Sequence, residues 1–238
     1  MSSPRIMMAA GYTARSRAYA QAMYRAGIGL DNVILFGDEC RDTVVEAVTP
    51  KSTDLPVFMP NLSIPLRETC RSADWPVTEI GAGNINSEEM IGVLSNLKPD
   101  LLIYSGYGGQ LIHPSVIDLA IPILHMHAGW LPDYRGSTTI YYSWLQEQRC
   151  GVSAILIDSG IDTGPVVMRR HYPMAPDHVD VDRIYDSALR ADVLVSVLKH
   201  YSETGKLPSE EVEDDGDTYY VIHPVLKHIS RLQPRSKP

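Results

Sequence analysis

The sequence predicts an α/β protein with an open, mainly parallel sheet flanked by helices. Two observations carry that expectation. Short apolar runs of strand length alternate with segments of helical spacing, the pattern of successive βαβ units. Several of those runs end in glycines or polar residues, and the carboxyl ends of strands are where such sheets collect ligands. With 238 residues and 44% hydrophobic content, the chain has room for one sizeable core. It divides into a main unit over residues 1–205 and a short C-terminal extension over 206–238.

The elements follow in order. "RIMMAAGY" (5–12) is a first strand running into Gly11, and "SRAYAQAMYRAG" has helical spacing that stops at Gly27. "NVILFGD" (32–38) is a second apolar run. The proline-punctuated stretch from Arg41 to Gly83 reads as irregular, with one short strand and a small helix. "SEEMIGVLSNLKPD" (87–100) has an acidic start, apolar residues Met90, Ile91, Leu94 and Leu97 at helical spacing, and a proline stop. "LLIYSGYG" (101–108), "IPILHMH" (121–127) and "VSAILID" (152–158) are buried-strand candidates. "DRIYDSALRADVLVSVLKHYSETG" (182–205) is the best amphipathic helix, closed by Gly205. After an acidic stretch, "TYYVIHPVLKHI" gives a short strand signal.

Composition excludes some settings. No apolar run approaches bilayer length, and "MSSPRIMMAAGY" lacks the makings of a signal peptide, so no membrane partner is expected. Cys40, Cys70 and Cys150 are few and widely spaced, which suits a reduced, cytoplasmic setting without a CxxC metal knuckle. A formal charge of −8 runs against a nucleic-acid partner, whose phosphates call for a basic footprint.

Candidate ligand-facing ends are "GYTARSR", "SGYGGQ" and "HMHAGW", with "DSGIDTGPV" (158–166) nearby. The first lacks the G-x-G-x-x-G of a dinucleotide site, and no phosphate-binding loop with its lysine is present. His125 and His127 share one strand face if the strand reaches them. Alone, H-x-H is compatible with polar caps, an acid/base pair or a metal; without further ligand spacing, no metal is expected.

The stretch "H-x-H-A-G-W-L-P-D-Y-R-G" from His125 to Gly136, followed by "G-V-S-A-I-L-I-D-S-G-I-D-T-G-P-V-V", resembles the folate-dependent formyltransferase family. Its pattern is N-x-H-x-S-x-L-P-x-Y-R-G, then a G-V-T strand and a D-x-G-x-D-x-G-P turn. His127 falls on the family histidine and Asp162 on its aspartate, while "KPDLLIYSGYGGQLIHPSVIDL" is similar to the strand and loop lining the folate pocket. Two departures stand out: His125 occupies the family's asparagine position, and Ala128-Gly129 replaces a common proline-serine pair.

The resemblance implies a Rossmann-like formyltransferase fold and transfer of a formyl group from 10-formyltetrahydrofolate to an amine. His127 would take the attacking amine's extra proton, Asp162 would orient its ring and favour the imidazolium, and His125 would donate one N–H to the formyl oxygen in place of an amide. Tyr104, Gly106, Tyr107, Gln110 and Asp158 would lie along the folate pocket, with glycine allowing close backbone approach. Trp130 and Tyr134 would cover the pterin or the substrate; the alternative for each is packing.

Family acceptors include methionyl-tRNA, glycinamide ribonucleotide and nucleotide-linked amino sugars. The acidic balance, the short stretch after Gly205 and the absence of the ribonucleotide enzymes' glycine-rich phosphate loop favour a nucleotide-linked amino sugar. Arg15 and Arg17, at a helix start, would suit its pyrophosphate; a solvated helix start is the alternative. Resemblance to the sugar enzymes also implies a homodimer. Two other readings stay open: an enzyme for another small amine, and a family member that holds folate or a nucleotide without turnover.

Overall fold

The structure, a computed structural model, describes residues 4–39, 57–212 and 216–233. In chain order, β1 (Ile6–Gly11), α1 (Ala14–Arg25), β2 (Asn32–Phe36), α2 (Leu66–Ser72), β3 (Val77–Ile80), α3 (Glu88–Leu97), β4 (Leu101–Ser105), α4 (Pro114–Ile117) and β5 (Ile123–His127) build the first half. There follow β6 (Tyr134–Gly136), α5 (Thr139–Glu147), β7 (Arg149–Leu156), β8 (Val166–Pro173), α6 (Asp186–Thr204), β9 (Asp217–Tyr219) and α7 (Pro224–Arg231). A π-helical turn over Val181–Tyr185 leads into α6.

Among the described residues the main sheet has seven strands, in the order β3-β2-β1-β4-β5-β7-β8. The pairings from β3 to β5 are parallel, while β7 and β8 join as antiparallel additions. The expectation of an open, mainly parallel sheet is therefore met. Strand order reverses between β1 and β4, so the crevice for a ligand opens at their carboxyl ends. Central strands covered on both faces read as continuous apolar runs, and every residue of β1 is buried.

Each face has its own core. Met8, Ala10, Leu101, Ile103, Leu124 and Met126 pack under α1, α5 and α6 with Tyr19, Tyr141, Trp144 and Leu194. Met7, Ala9, Leu102, Tyr104 and Ile123 form the opposite core with Met90 and Leu94 of α3 and Val116 of α4. Because strand side chains alternate, His125 and His127 fall with Ile123 on this second face, displaced towards the strand end.

Local capping directs α1 to the crevice. The Thr13 side chain accepts the Ser16 amide, and the Ser16 hydroxyl reaches the Ser105 carbonyl and hydroxyl at the end of β4.

Part of the stretch from Arg41 to Gly83 lies outside the described residues; the rest supplies the expected small helix and short strand, α2 and β3. One expectation needs adjustment. The strand signal in "TYYVIHPVLKHI" holds only for Asp217–Tyr219, because Pro224 stands at the first turn of α7 and the His223 ring accepts the Val225 amide at 3.2 Å.

Candidate active site

The site is built where β5 ends. Antiparallel pairing with β7 sets His127 opposite Ser153, a fully buried residue. The Ser153 hydroxyl donates to the Gly129 carbonyl at 2.7 Å and accepts the Leu131 amide at 3.0 Å, pinning the loop that leaves β5. That loop turns back so that Tyr134 O lies 2.7 Å from His127 Nε2. A carbonyl can only accept, so Nε2 carries the proton and Nδ1 is the basic atom. Nδ1 faces Asp162 Oδ2 at 3.3 Å, and the same oxygen accepts the Gly136 amide at 3.0 Å. Two backbone groups of one loop, Tyr134 O and Gly136 N, thus fix both members of the pair.

The loop needs its glycine. A Cβ at Gly129 would collide with Tyr134 O and His127 Nε2. Asp162 sits at φ 55°, a left-handed conformation that aspartate tolerates better than most residues.

His127 is 3% exposed, and burial pushes its pKa below the usual histidine value. Asp162 is the strongest opposing influence, while Arg190 depresses the pKa further. Burial therefore favours the neutral ring, while the carboxylate beside Nδ1 favours the charged one.

His125 keeps some exposed surface, but its Nδ1 is closed off from solvent and has no hydrogen-bond partner. Burial, then Arg15, Arg190 and His127, hold its pKa well below 6.5, with the Tyr104 backbone opposing. Its ring lies 6.2 Å from that of Tyr104. Arg15 donates to the Gly106 carbonyl, and its buried Nε has no partner. Burial and the neighbouring Arg190 lower its pKa.

Arg190 and Asp186, both on α6, escaped the sequence reading. Arg190 Nε bonds Asp186 at 2.9 Å, and its Nη1 donates to the carbonyl of Met126, the residue between the two histidines, at 2.5 Å. An arginine on the otherwise apolar-to-small face of "SALRA", four residues after Asp186, was the available signal.

The remaining predicted residues divide. Tyr104, Gly106 and Gln110 stay at the crevice: Tyr104 Oη donates to Gln110 at 3.4 Å, and Gln110 Nε2 holds the Gly83 carbonyl at 2.7 Å. Tyr107 instead closes the ends of β1 and β2. Its hydroxyl accepts the Tyr12 amide and donates to Phe36 O, over a cradle formed by Gly11 and Gly37. Asp158 is occupied within its own turn by the Gly160 amide and the Thr163 hydroxyl. Trp130 stacks on His171 at 3.8 Å with Arg169 above it, so packing describes its ring. The Tyr134 side chain bonds Gln146 and Glu147; its backbone is what meets His127.

Arg17 departs from the expected pyrophosphate pair. It is 2% exposed and donates to the Leu62 carbonyl, because the face of α1 that carries it packs into the core beside α2. A phosphate has no access to it.

Among the described residues no cluster of three or more His, Cys, Asp and Glu could hold a metal ion, and no helix is long and apolar enough to cross a membrane.

The chain is thus a doubly wound α/β protein with a buried histidine–aspartate pair at the carboxyl end of a central strand. The chain belongs to the formyl transferase family, whose model matches residues 33–198. It is 30% identical over 164 residues to a methionyl-tRNA formyltransferase of Finegoldia magna, covering 67% of this chain and 52% of that protein. It is 32% identical over 156 residues to the methionyl-tRNA formyltransferase of Caldanaerobacter subterraneus, covering 63% and 49%. The chain thus spans about half the length of these curated relatives. Its fold is similar to that of phosphoribosylglycinamide formyltransferase from Anaplasma phagocytophilum, with TM-score 0.59, 14% identity, and 92% and 99% of the two chains covered. A sugar N-formyltransferase from Shewanella sp. matches at TM-score 0.58 and 12% identity, over 96% and 87%.

Proposed function

We propose that this chain moves a formyl group from 10-formyltetrahydrofolate to an amine, with His127 receiving the proton that the amine gives up. The observation that carries the reading is the arrangement of His127 between Tyr134 O and Asp162 Oδ2. It leaves one basic nitrogen, fixes the ring's orientation and places a carboxylate where positive charge will form. The donor, when bound, supplies an activated formyl carbon.

The residues present fit such a donor. Tyr104, Gly106 and Gln110 would hold it along the end of β4, while Tyr107 and Asp158 would shape the surrounding loops through the contacts they already make. The partnerless Nδ1 of His125 and Nε of Arg15 are buried polar atoms whose desolvation a polar ligand would offset. A neutral His125 donates a hydrogen bond to the formyl oxygen without adding charge beside His127.

The acceptor we favour is a nucleotide-linked amino sugar. Supporting it are the excess of 29 acidic over 21 basic residues, the lack of a glycine-rich phosphate loop after β1, and Arg15 at that strand's end. With Arg17 withdrawn, Arg15 and Arg190 are the two cations whose charge is felt at His125. Trp130 and Tyr134 would then contribute through the loop they build. The methionyl-tRNA relatives favour a second reading, with aminoacyl-tRNA as acceptor.

Incubation with 10-formyltetrahydrofolate and either a panel of nucleotide-linked amino sugars or methionyl-tRNA, read by mass spectrometry, separates the two. A formylated sugar supports the first and formylated tRNA the second. Folate binding with no formylated product in either arm overturns both acceptor assignments and returns the chain to the two remaining readings, an enzyme for another small amine or a ligand-holding family member.

A further inference from the structure

The described residues after α6 meet the loop that holds His127 and Asp162 at several points. Glu210 forms an antiparallel bridge with Val166 at the start of β8, with 2.8 Å bonds in both directions. Val212 packs against Leu131, Ile155 and Val166. Gly216 lies so close to Pro132 O that a Cβ there would collide with it. β9 then pairs in parallel with β6, Tyr134 opposite Asp217 and Gly136 opposite Tyr219. Tyr219 O accepts the Ser137 amide at 2.8 Å, and the Thr138 hydroxyl accepts the Ile222 amide at 2.9 Å.

Tyr219 is the residue that joins this strand to the loop by its side chain. Its ring stacks on Tyr134 at 5.5 Å and packs tilted by 38° against Tyr142 at 4.5 Å, and its hydroxyl shares Gln146 with the Tyr134 hydroxyl. Tyr134 and Gly136 are the same residues whose backbone carbonyl and amide hold His127 and Asp162. A two-stranded sheet of three residues per strand has little stability of its own. Aromatic stacking across it supplies what the short ladder lacks.

We propose that β9, through Tyr219, is the clamp that sets the geometry of the His127–Asp162 pair, and that Tyr219 is a positioning residue for the transfer. The proposal rests on the formyl-transfer reading for its kinetic consequence but not for its structural one. Loss of the clamp frees Tyr134 O and Gly136 N to drift, and a misplacement of about 1 Å at a catalytic group costs up to about a hundredfold in rate.

The test compares Tyr219→Ala, Tyr219→Phe and Gly216→Ala with the wild type. Backbone hydrogen exchange over residues 134–137 and steady-state kinetics are both measured. Tyr219→Ala should speed exchange there by about tenfold or more while β1 and β4 keep wild-type protection. It should lower kcat by about tenfold with both KM values within about twofold. Tyr219→Phe keeps the stack and should restore both readouts. Gly216→Ala, which deletes no side chain and pushes β9 from Pro132, should reproduce the Tyr219→Ala pattern. Unchanged exchange at 134–137 in Tyr219→Ala, or faster exchange there with unchanged kcat, overturns the proposal. So does exchange that rises equally in β1 and β4, which would make Tyr219 a residue of global stability. A wild type that forms no product defeats the functional reading instead; the exchange data still judge the clamp.

Discussion

His127 and Asp162 meet across 3.3 Å, one from the end of β5 and the other from the turn between β7 and β8. The separation is longer than a charge-assisted hydrogen bond between an imidazolium and a carboxylate. It suits a ring that is neutral at rest and closes on the carboxylate once Nδ1 gains a proton.

Asp162→Asn tests that relationship. Asparagine keeps the shape and tolerates the positive φ, but it removes the charge that supports the imidazolium. Since Asp162 raises the His127 pKa, its loss lowers that pKa further. We expect kcat to fall by about a hundredfold or more, with the acidic limb of the pH–rate profile moved to lower pH. A limb that stays in place would show that the carboxylate does not act on His127.

His125 should serve as a neutral donor. His125→Asn, which supplies an amide of similar reach, should retain substantial kcat. His125→Ala should lose about 2.7–4 kcal/mol of transition-state stabilisation, as when one oxyanion donor is removed. Equal rates for the two variants would make His125 a strand cap.

Stability should depend on pH through the same residues. Both histidines have folded pKa values below their unfolded value, so the unfolded chain binds protons first as pH falls. Their contribution is complete above about pH 7 and declines as pH drops through about 6.5, by up to about 1.4 kcal/mol per pH unit for each group. Thermal melts between pH 7.5 and 5 (roughly the range that brackets a free histidine) should show Tm falling in the wild type and falling less in His125→Asn. Parallel curves would show that His125 titrates normally in the folded protein.

The two arginines of α1 should separate. Arg17→Ala removes a buried donor from the Leu62 carbonyl and should cost about 1.5–3 kcal/mol in stability, leaving KM values unchanged. Arg15→Ala should instead raise KM for the amine acceptor by about tenfold or more and leave KM for the folate nearly unchanged. Equal KM effects from both substitutions would return the pair to one common role.

What was legible in the sequence follows physical lines. The alternation in "ILHMH" placed His125 and His127 on one face because a strand has a strict period of two. The loop "LPDYRG" and the turn "DSGIDTGP" announced themselves through motif. β8 was missed because "VVMRRHYP", on the edge of the sheet, carries charges that an interior strand would not. α5 was missed because "TIYYSWLQE" is rich in aromatic residues, and packing of Tyr141 and Trp144 against the core overrides that propensity. Tyr134 and Gly136 were unreadable in their main role, since a backbone carbonyl or amide leaves no mark on residue identity. Arg190 reaches the Met126 carbonyl only because α6 crosses behind β5, a tertiary fact that helical phase alone does not contain.

The most direct measurement is kcat for His127→Asn, taken at saturating 10-formyltetrahydrofolate with the acceptor the wild type formylates. Asparagine can still donate towards Tyr134 O but offers no basic nitrogen to Asp162. The account predicts a loss of about a hundredfold or more, with donor and acceptor dissociation constants within about twofold of wild type. A variant that keeps half of the wild-type kcat would contradict it, because the proton would then be leaving the amine by another route.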